Sequence, residues 1–148
     1  NTDAAAVAEI FMHPTAVLGL SDAGAHITQF SGAGQTSQLL GHWVRERQAF
    51  SLEAAVRLIT GAPAEIFASP DRGRLAPGLA ADITVFDPGT IACHEEEIVH
   101  DMPDGGPRYV ARSSGIQWSF VNGRPIIRDG HLPEPAAVAG AGRVIRAA

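Results

Sequence analysis

The sequence is short of cysteine, lysine and long apolar runs, and each shortage weighs against a class of protein. Cys93 is the only cysteine among 148 residues, so no disulfide can form within the chain, which is typical of a reducing cytoplasm. All eleven basic residues are arginines and the net charge is −5, which disfavours binding to nucleic acid or to an anionic membrane surface. No apolar run approaches the roughly 20 residues of a transmembrane helix, so we expect no membrane span.

What the sequence does contain is enough for a folded domain. Hydrophobic residues make up 45% of the chain and charged residues 18%, a balance that excludes wholesale disorder. The first residues, Asn1-Thr2-Asp3-Ala4, carry neither an initiator methionine nor a signal pattern. We therefore expect the chain to be part of a longer protein.

The first part of the chain has helical periodicity interrupted by one apolar run. Residues 16–20 form a short run without polar alternation, which favours a strand buried on both faces, as in a parallel α/β sheet. Helix signals surround it: a helix over residues 4–12 capped by Asp3, a helix over 37–48, a helix that is capped by Ser51 and ended by Gly61, and a helix over 63–68.

After residue 70 the periodicity changes from helical to alternating. Residues 83–87 predict a strand, and Asn122-Gly123 between two apolar runs predicts a hairpin. Residues 109–111 predict a further strand. The chain therefore divides into an α/β part, residues 1–69, and an antiparallel β part, residues 70–148, whose tail from Pro133 onward we expect to be loosely held.

Asp22 is the main candidate for chemistry. It follows the predicted strand of residues 16–20, and reactive groups in parallel α/β proteins lie where strands end. A carboxylate there can ligate a divalent metal or accept a proton from water that a metal activates. The same position also suits a side chain that caps the next turn, and the spacing alone leaves both interpretations open.

Other candidates carry weaker signals. His26 is interpreted as a loop histidine, His42 as a helix-surface residue and His94, beside three glutamates, as part of a solvated acidic loop. Cys93 has no pairing signal and is interpreted as an inert thiol. Residues 32–34 (Gly-Ala-Gly) lack the rest of a phosphate-binding motif and are interpreted as a flexible loop.

Four segments resemble the C-terminal portion of the amidohydrolase superfamily, nearest its N-acyl-D-amino-acid deacylase (D-aminoacylase) group. They are residues 20–26 (LSDAGAH), 39–45 with 51–56 (LLGHWVR, SLEAAV), 73–87 (GRLAPGLAADITVFD) and 121–130 (VNGRPIIRDG). The first resembles the end of the eighth barrel strand and points to the deacylase branch. The third resembles the family's return to its small β domain.

The resemblance implies a fold, a cofactor and residue roles. The fold is the C-terminal fragment of a (β/α)₈ barrel, with the last strand and helices in residues 1–69 and part of a small β-sandwich in residues 70–148. The activity is zinc-dependent hydrolysis of the amide of a small N-acyl (D-)amino acid in a bacterial cytoplasm. Asp22 would lie at the metal centre as the proton shuttle, with Ser21 and His26 in the substrate pocket.

The zinc ligands of the family that this sequence resembles have no counterpart in it. It contains no His-x-His pair, and one aspartate cannot hold a catalytic zinc, which needs about three protein ligands. We therefore expect the chain to be inactive alone and to need the rest of the barrel. A barrel strand without its neighbours also predicts homo-oligomers or a rearranged strand order.

Two alternatives remain open at this point. The substrate of the parent enzyme is either an acyl amino acid or a cyclic amide, as in hydantoinases and dihydropyrimidinases. The second alternative is a non-catalytic scaffold domain that is derived from the same fold.

Overall fold

The first helix forms as its capping signal predicts. In the computed structural model, which describes residues 3–19 and 21–145, α1 spans Ala4–Met12 and ends at His13. The Asp3 carboxylate accepts hydrogen bonds from the backbone N–H groups of Ala5 and Ala6, at 3.0 and 3.1 Å. These bonds satisfy donors that have no partner inside the helix.

The predicted strand over residues 16–20 is not present in residues 16–19, and Leu20 lies outside the described residues. A strand exists only when its backbone pairs with a neighbour, and within the described residues this stretch has no such neighbour. Instead, the side-chain amide of Gln35 donates to the Gly19 carbonyl at 3.1 Å. The predicted strand is therefore not confirmed for residues 16–19.

The helix predicted over residues 37–48 begins earlier and changes type. α2 spans Gln35–Gln38 and continues directly into a π-helix, Leu39–Glu46. α3 spans Leu52–Ile59, and the Ser51 hydroxyl accepts from the Ala54 N–H at 3.2 Å, as the predicted cap requires.

The fourth helix shows that the predicted end at Gly61 is wrong. The break falls at Thr60, which has non-helical backbone angles and donates its hydroxyl to the Val56 carbonyl at 2.6 Å. Gly61 instead begins α4, Gly61–Ile66, two residues before the predicted start at Pro63. The chain therefore turns between α3 and α4 without a linking loop.

Three small antiparallel sheets make up the second part of the chain. The strands are β1 Ile83–Phe86, β2 Ala92–Cys93, β3 Glu97–Val99, β4 Arg108–Val110, β5 Ser113–Ser114, β6 Ile116–Val121 and β7 Arg124–Ile127. One sheet has the order β1-β6-β7, and the other two pair β2 with β5 and β3 with β4. Asn122 and Gly123, both with positive φ (49° and 77°), form the predicted hairpin turn between β6 and β7.

The tail beyond β7 is tied to the hairpin. A short helix, α5, spans Pro135–Val138. After it, the buried Ala141 accepts a hydrogen bond from the Asn122 side chain at 2.8 Å. The expectation of a loosely held tail from Pro133 onward stays a prediction.

The core joins the helices to the β part. Its buried members are Leu39, Leu40, Ala55 and Ile91. The half-buried side chains around it are Phe11, Leu18, Trp43, Val44, Phe50, Leu52, Val56, Ile59, Phe86 and Ile116. The helices and the β part therefore share one interior, in which Ile91 belongs to the β part. Among the described residues, no helix has the length and apolar character to cross a membrane.

Candidate active-site loop

Asp22 lies in a tight turn that directly follows residues 16–19. Its carbonyl accepts from the Ala25 N–H at 2.9 Å, and the Ser21 hydroxyl accepts from the Ala23 N–H at 3.3 Å. The local capping role therefore belongs to Ser21. The Asp22 carboxylate is exposed and has no hydrogen-bond partner within the described residues, an arrangement that leaves both oxygens available to a proton or a ligand.

His26 ends the same turn in an uncommon backbone conformation. Its φ is 51°, in the left-handed region that non-glycine residues seldom occupy. Its carbonyl accepts from the Gln29 N–H at 2.7 Å, and its side chain is exposed. Such strain persists only where surrounding contacts impose it, and it occurs often in ligand-binding loops. The three predicted site residues, Ser21, Asp22 and His26, therefore share one exposed turn.

The loop that follows this turn is hydrogen-bonded to the β part. The Glu96 carboxylate accepts from the Ser31 and Gly32 N–H groups at 2.8 and 3.1 Å, and the Tyr109 N–H donates to the Ile27 carbonyl at 2.8 Å. Ser31 is buried. The loop is thus hydrogen-bonded to the β part at both ends, and the interpretation of residues 32–34 as a flexible loop stays a prediction.

The Cys93 side chain packs against the same loop, at Gly34. Gly34 has a φ of 85°, and a Cβ added there would overlap the Cys93 sulfur. Partial burial raises the pKa of the Cys93 thiol, and the Glu96 charge raises it further. A raised pKa lowers the reactive thiolate fraction at neutral pH, which agrees with the predicted inert thiol.

The histidines outside the turn form no metal site. His42, on the π-helix, bonds to Glu46 at 2.9 Å and accepts from the Arg47 guanidinium at 3.1 Å, as a helix-surface residue does. No group of three His, Cys, Asp or Glu side chains that could hold a metal ion occurs in residues 3–19 and 21–145. Asp22 is therefore a single candidate ligand.

A large groove lies away from the predicted site residues. It has a volume of about 910 Å³ and runs along α3, α4 and residues 68–74. Its lining lacks the three predicted site residues, so size alone does not mark the chemistry.

Glu96 is the residue near the site that sequence reasoning missed. The sequence predicts a solvated acidic loop at residues 95–97, and these residues are exposed. Yet Glu96 holds the loop after Asp22, and Glu97 pairs with Arg112. The Glu96 contact joins residues 65 positions apart, so no local pattern signals it.

Comparison with known proteins matches most of the chain. The model of the amidohydrolase family matches residues 2–127. An N-acyl-D-glutamate deacylase from Alcaligenes xylosoxydans xylosoxydans is 36% identical over 121 residues, covering 79% of this chain and 22% of the relative. A D-aminoacylase from the same organism is 37% identical over 93 residues, covering 63% of this chain and 17% of the relative.

A shorter match and a solved structure agree. A dihydroorotase from Lactobacillus johnsonii is 40% identical over 65 residues, covering 44% of this chain and 14% of the relative. A D-aminoacylase structure, described for its binuclear metal centre, has a TM-score of 0.52 and 32% identity, covering 69% of this chain and 20% of that chain. The chain thus spans about a fifth of the length of these relatives. It belongs to the amidohydrolase family.

Proposed function

We propose that this chain is the C-terminal part of a zinc-dependent amidohydrolase that hydrolyses the amide bond of N-acyl D-amino acids, and that it is inactive alone. The observation that carries the proposal is the family match over residues 2–127, together with the similarity to two relatives named as deacylases. Residues 1–69 would supply the last strand and helices of the barrel, and residues 70–148 part of the small β domain. The unpaired Cys93 supports a cytoplasmic location.

Asp22 carries the proton chemistry in this proposal. Its exposed carboxylate accepts a proton from the attacking water and then delivers it to the departing amide nitrogen, acting first as base and then as acid. In this proposal Ser21 and His26, which share the turn with Asp22, lie beside the reacting amide and bind the substrate. A carboxylate without an internal partner suits this role because no bond has to break before it accepts the proton.

The metal requires ligands from outside this chain. The related D-aminoacylase is described as having a binuclear metal centre, and zinc would polarise the amide carbonyl. The described residues do not fit a complete zinc site, since Asp22 is one ligand and catalytic zinc uses about three. The rest of the barrel must supply the others.

A second substrate class remains the alternative. The match to a relative of a different name, dihydroorotase, indicates that this part of the chain does not by itself select the substrate. A cyclic amide is therefore the competing substrate, and a scaffold domain without activity is the competing function.

The gene provides the first test. An open reading frame continuing upstream of Asn1 and encoding a His-x-His pair would support the enzyme, whereas a start codon immediately before Asn1 would support the scaffold. The complete protein should then hydrolyse N-acetyl-D-glutamate and lose this activity on treatment with a chelator. Hydrolysis of hydantoin or dihydrouracil in its place would favour the cyclic-amide alternative.

The chain alone is expected to associate. Residues 16–19 have no strand partner among residues 3–19 and 21–145, and apolar side chains such as Phe67 and Leu75 are 75% and 77% exposed. In the complete enzyme the rest of the barrel would cover such surfaces; in isolation they favour homo-oligomers. Size-exclusion chromatography with light scattering should show a mass that rises with concentration, and a monomer at every concentration would contradict the expectation.

A further inference from the structure

One carboxylate of the β part fixes the loop after Asp22. A single oxygen of Glu96 accepts from two consecutive backbone N–H groups, those of Ser31 and Gly32, at 2.8 and 3.1 Å. Hydrogen bonds to a charged acceptor are about twice as strong as neutral ones. Ser31 is only 7% exposed, so part of this contact is shielded from water.

Gly32 in turn contacts the backbone of Asp22. Its φ is 63°, and a Cβ built there would lie 3.1 Å from both the Asp22 carbonyl carbon and the Ala23 nitrogen. The Gly32 backbone is therefore packed directly against the peptide that carries Asp22. A shift of Gly32 in one direction would collide with that peptide, and a shift in the other would leave it unsupported.

We propose that Glu96 is a positioning residue for Asp22, acting through the Ser31-Gly32 backbone. This inference rests on the proposed function, because it gives Glu96 a role in the reaction that Asp22 performs. The β part then contributes to catalysis by fixing the position of the Asp22 carboxylate, which is the proton acceptor. Misplacing a reacting group by about 1 Å can lower a rate about a hundredfold.

The first experiment measures the contact itself, independently of activity. In the 148-residue chain, Glu96→Ala should speed hydrogen exchange at the Ser31 and Gly32 amides about tenfold. Glu96→Gln keeps an acceptor oxygen and should give a smaller increase. Glu95→Ala removes the neighbouring exposed carboxylate and should leave both amides unchanged, which makes it the matched control.

The second experiment measures positioning in the complete enzyme. Glu96→Ala should lower kcat about tenfold to a hundredfold with KM within about twofold. Glu96→Gln should restore most of kcat, and Glu95→Ala should behave as the wild type. Loss of structure would instead lower the folded fraction, which circular dichroism detects, and the glutamine variant keeps the test available if the alanine variant does not fold.

The outcomes separate this proposal from the proposed function. Unchanged exchange at Ser31 and Gly32 in Glu96→Ala overturns it, as does faster exchange with unchanged kcat. If the complete enzyme hydrolyses no amide, or if it does not need Asp22, the proposed function fails and the catalytic role of Glu96 fails with it. The exchange data would still report whether the contact exists.

Discussion

Replacing Asp22 by asparagine is expected to lower turnover of the complete enzyme about a hundredfold to ten-thousandfold, the range that general acid–base catalysis contributes. The amide has nearly the shape of the carboxylate but cannot accept the proton at neutral pH. Because Asp22 is exposed and unpartnered among the described residues, the substitution should leave folding stability nearly unchanged. Initial rates on N-acetyl-D-glutamate, with metal content measured in parallel, test the expectation.

Asp129 offers a matched control for this experiment. It is also an exposed aspartate in a turn, with a φ of 49°, a conformation that asparagine tolerates. Asp129→Asn should retain wild-type turnover. Zinc content should stay largely intact in Asp22→Asn, since the proposed function takes most of the zinc ligands from the rest of the barrel. Unchanged turnover in Asp22→Asn would refute the proton-shuttle role.

Replacing Ile91 by alanine is expected to lower the free energy of unfolding by about 2–5 kcal/mol, the usual cost of such a truncation in a core. Ile91 is 2% exposed and packs with Leu39, Leu40 and Ala55. Its backbone is also closely enclosed, because a Cβ at Gly41 or at Gly115 would come within 2.5 Å of it. The surroundings therefore have little freedom to close a cavity.

Ile98→Ala is the matched control, because Ile98 loses the same atoms from a side chain that is 54% exposed. It should cost less than about 1 kcal/mol. Urea unfolding followed by tryptophan fluorescence measures both variants, and Trp43, which packs on the same core, gives the signal. Equal losses for the two variants would contradict the assignment of Ile91 as the joint between the helices and the β part.

Local signals were enough to predict several elements from the sequence. Asp3 and Ser51 cap α1 and α3 through bonds to N–H groups two or three residues away, so the information lies within one turn. The hairpin at Asn122-Gly123 depends on two residues that adopt positive φ.

Features that depend on distant partners could not be predicted in this way. Residues 16–19 carry a strand pattern but have no strand to pair with in the part of the chain that the structure describes, and the pattern itself contains no information about such a partner. The apolar stripe of Leu39, Leu40 and Trp43 predicts a helix without distinguishing the α from the π form. The contact of Glu96 with Ser31 links two parts of the chain through tertiary structure alone.

The Cys93 sulfur lies directly against Gly34. The rate at which the thiol is chemically modified can therefore report how often the neighbouring loop moves away from it. An alkylating reagent needs both an accessible sulfur and a thiolate, and the raised pKa of Cys93 limits the second. Modification in the closed state should therefore be slow, so that labelling follows transient openings of residues 31–34. Since the chain has no other cysteine, these openings can be followed without introducing a labelling site.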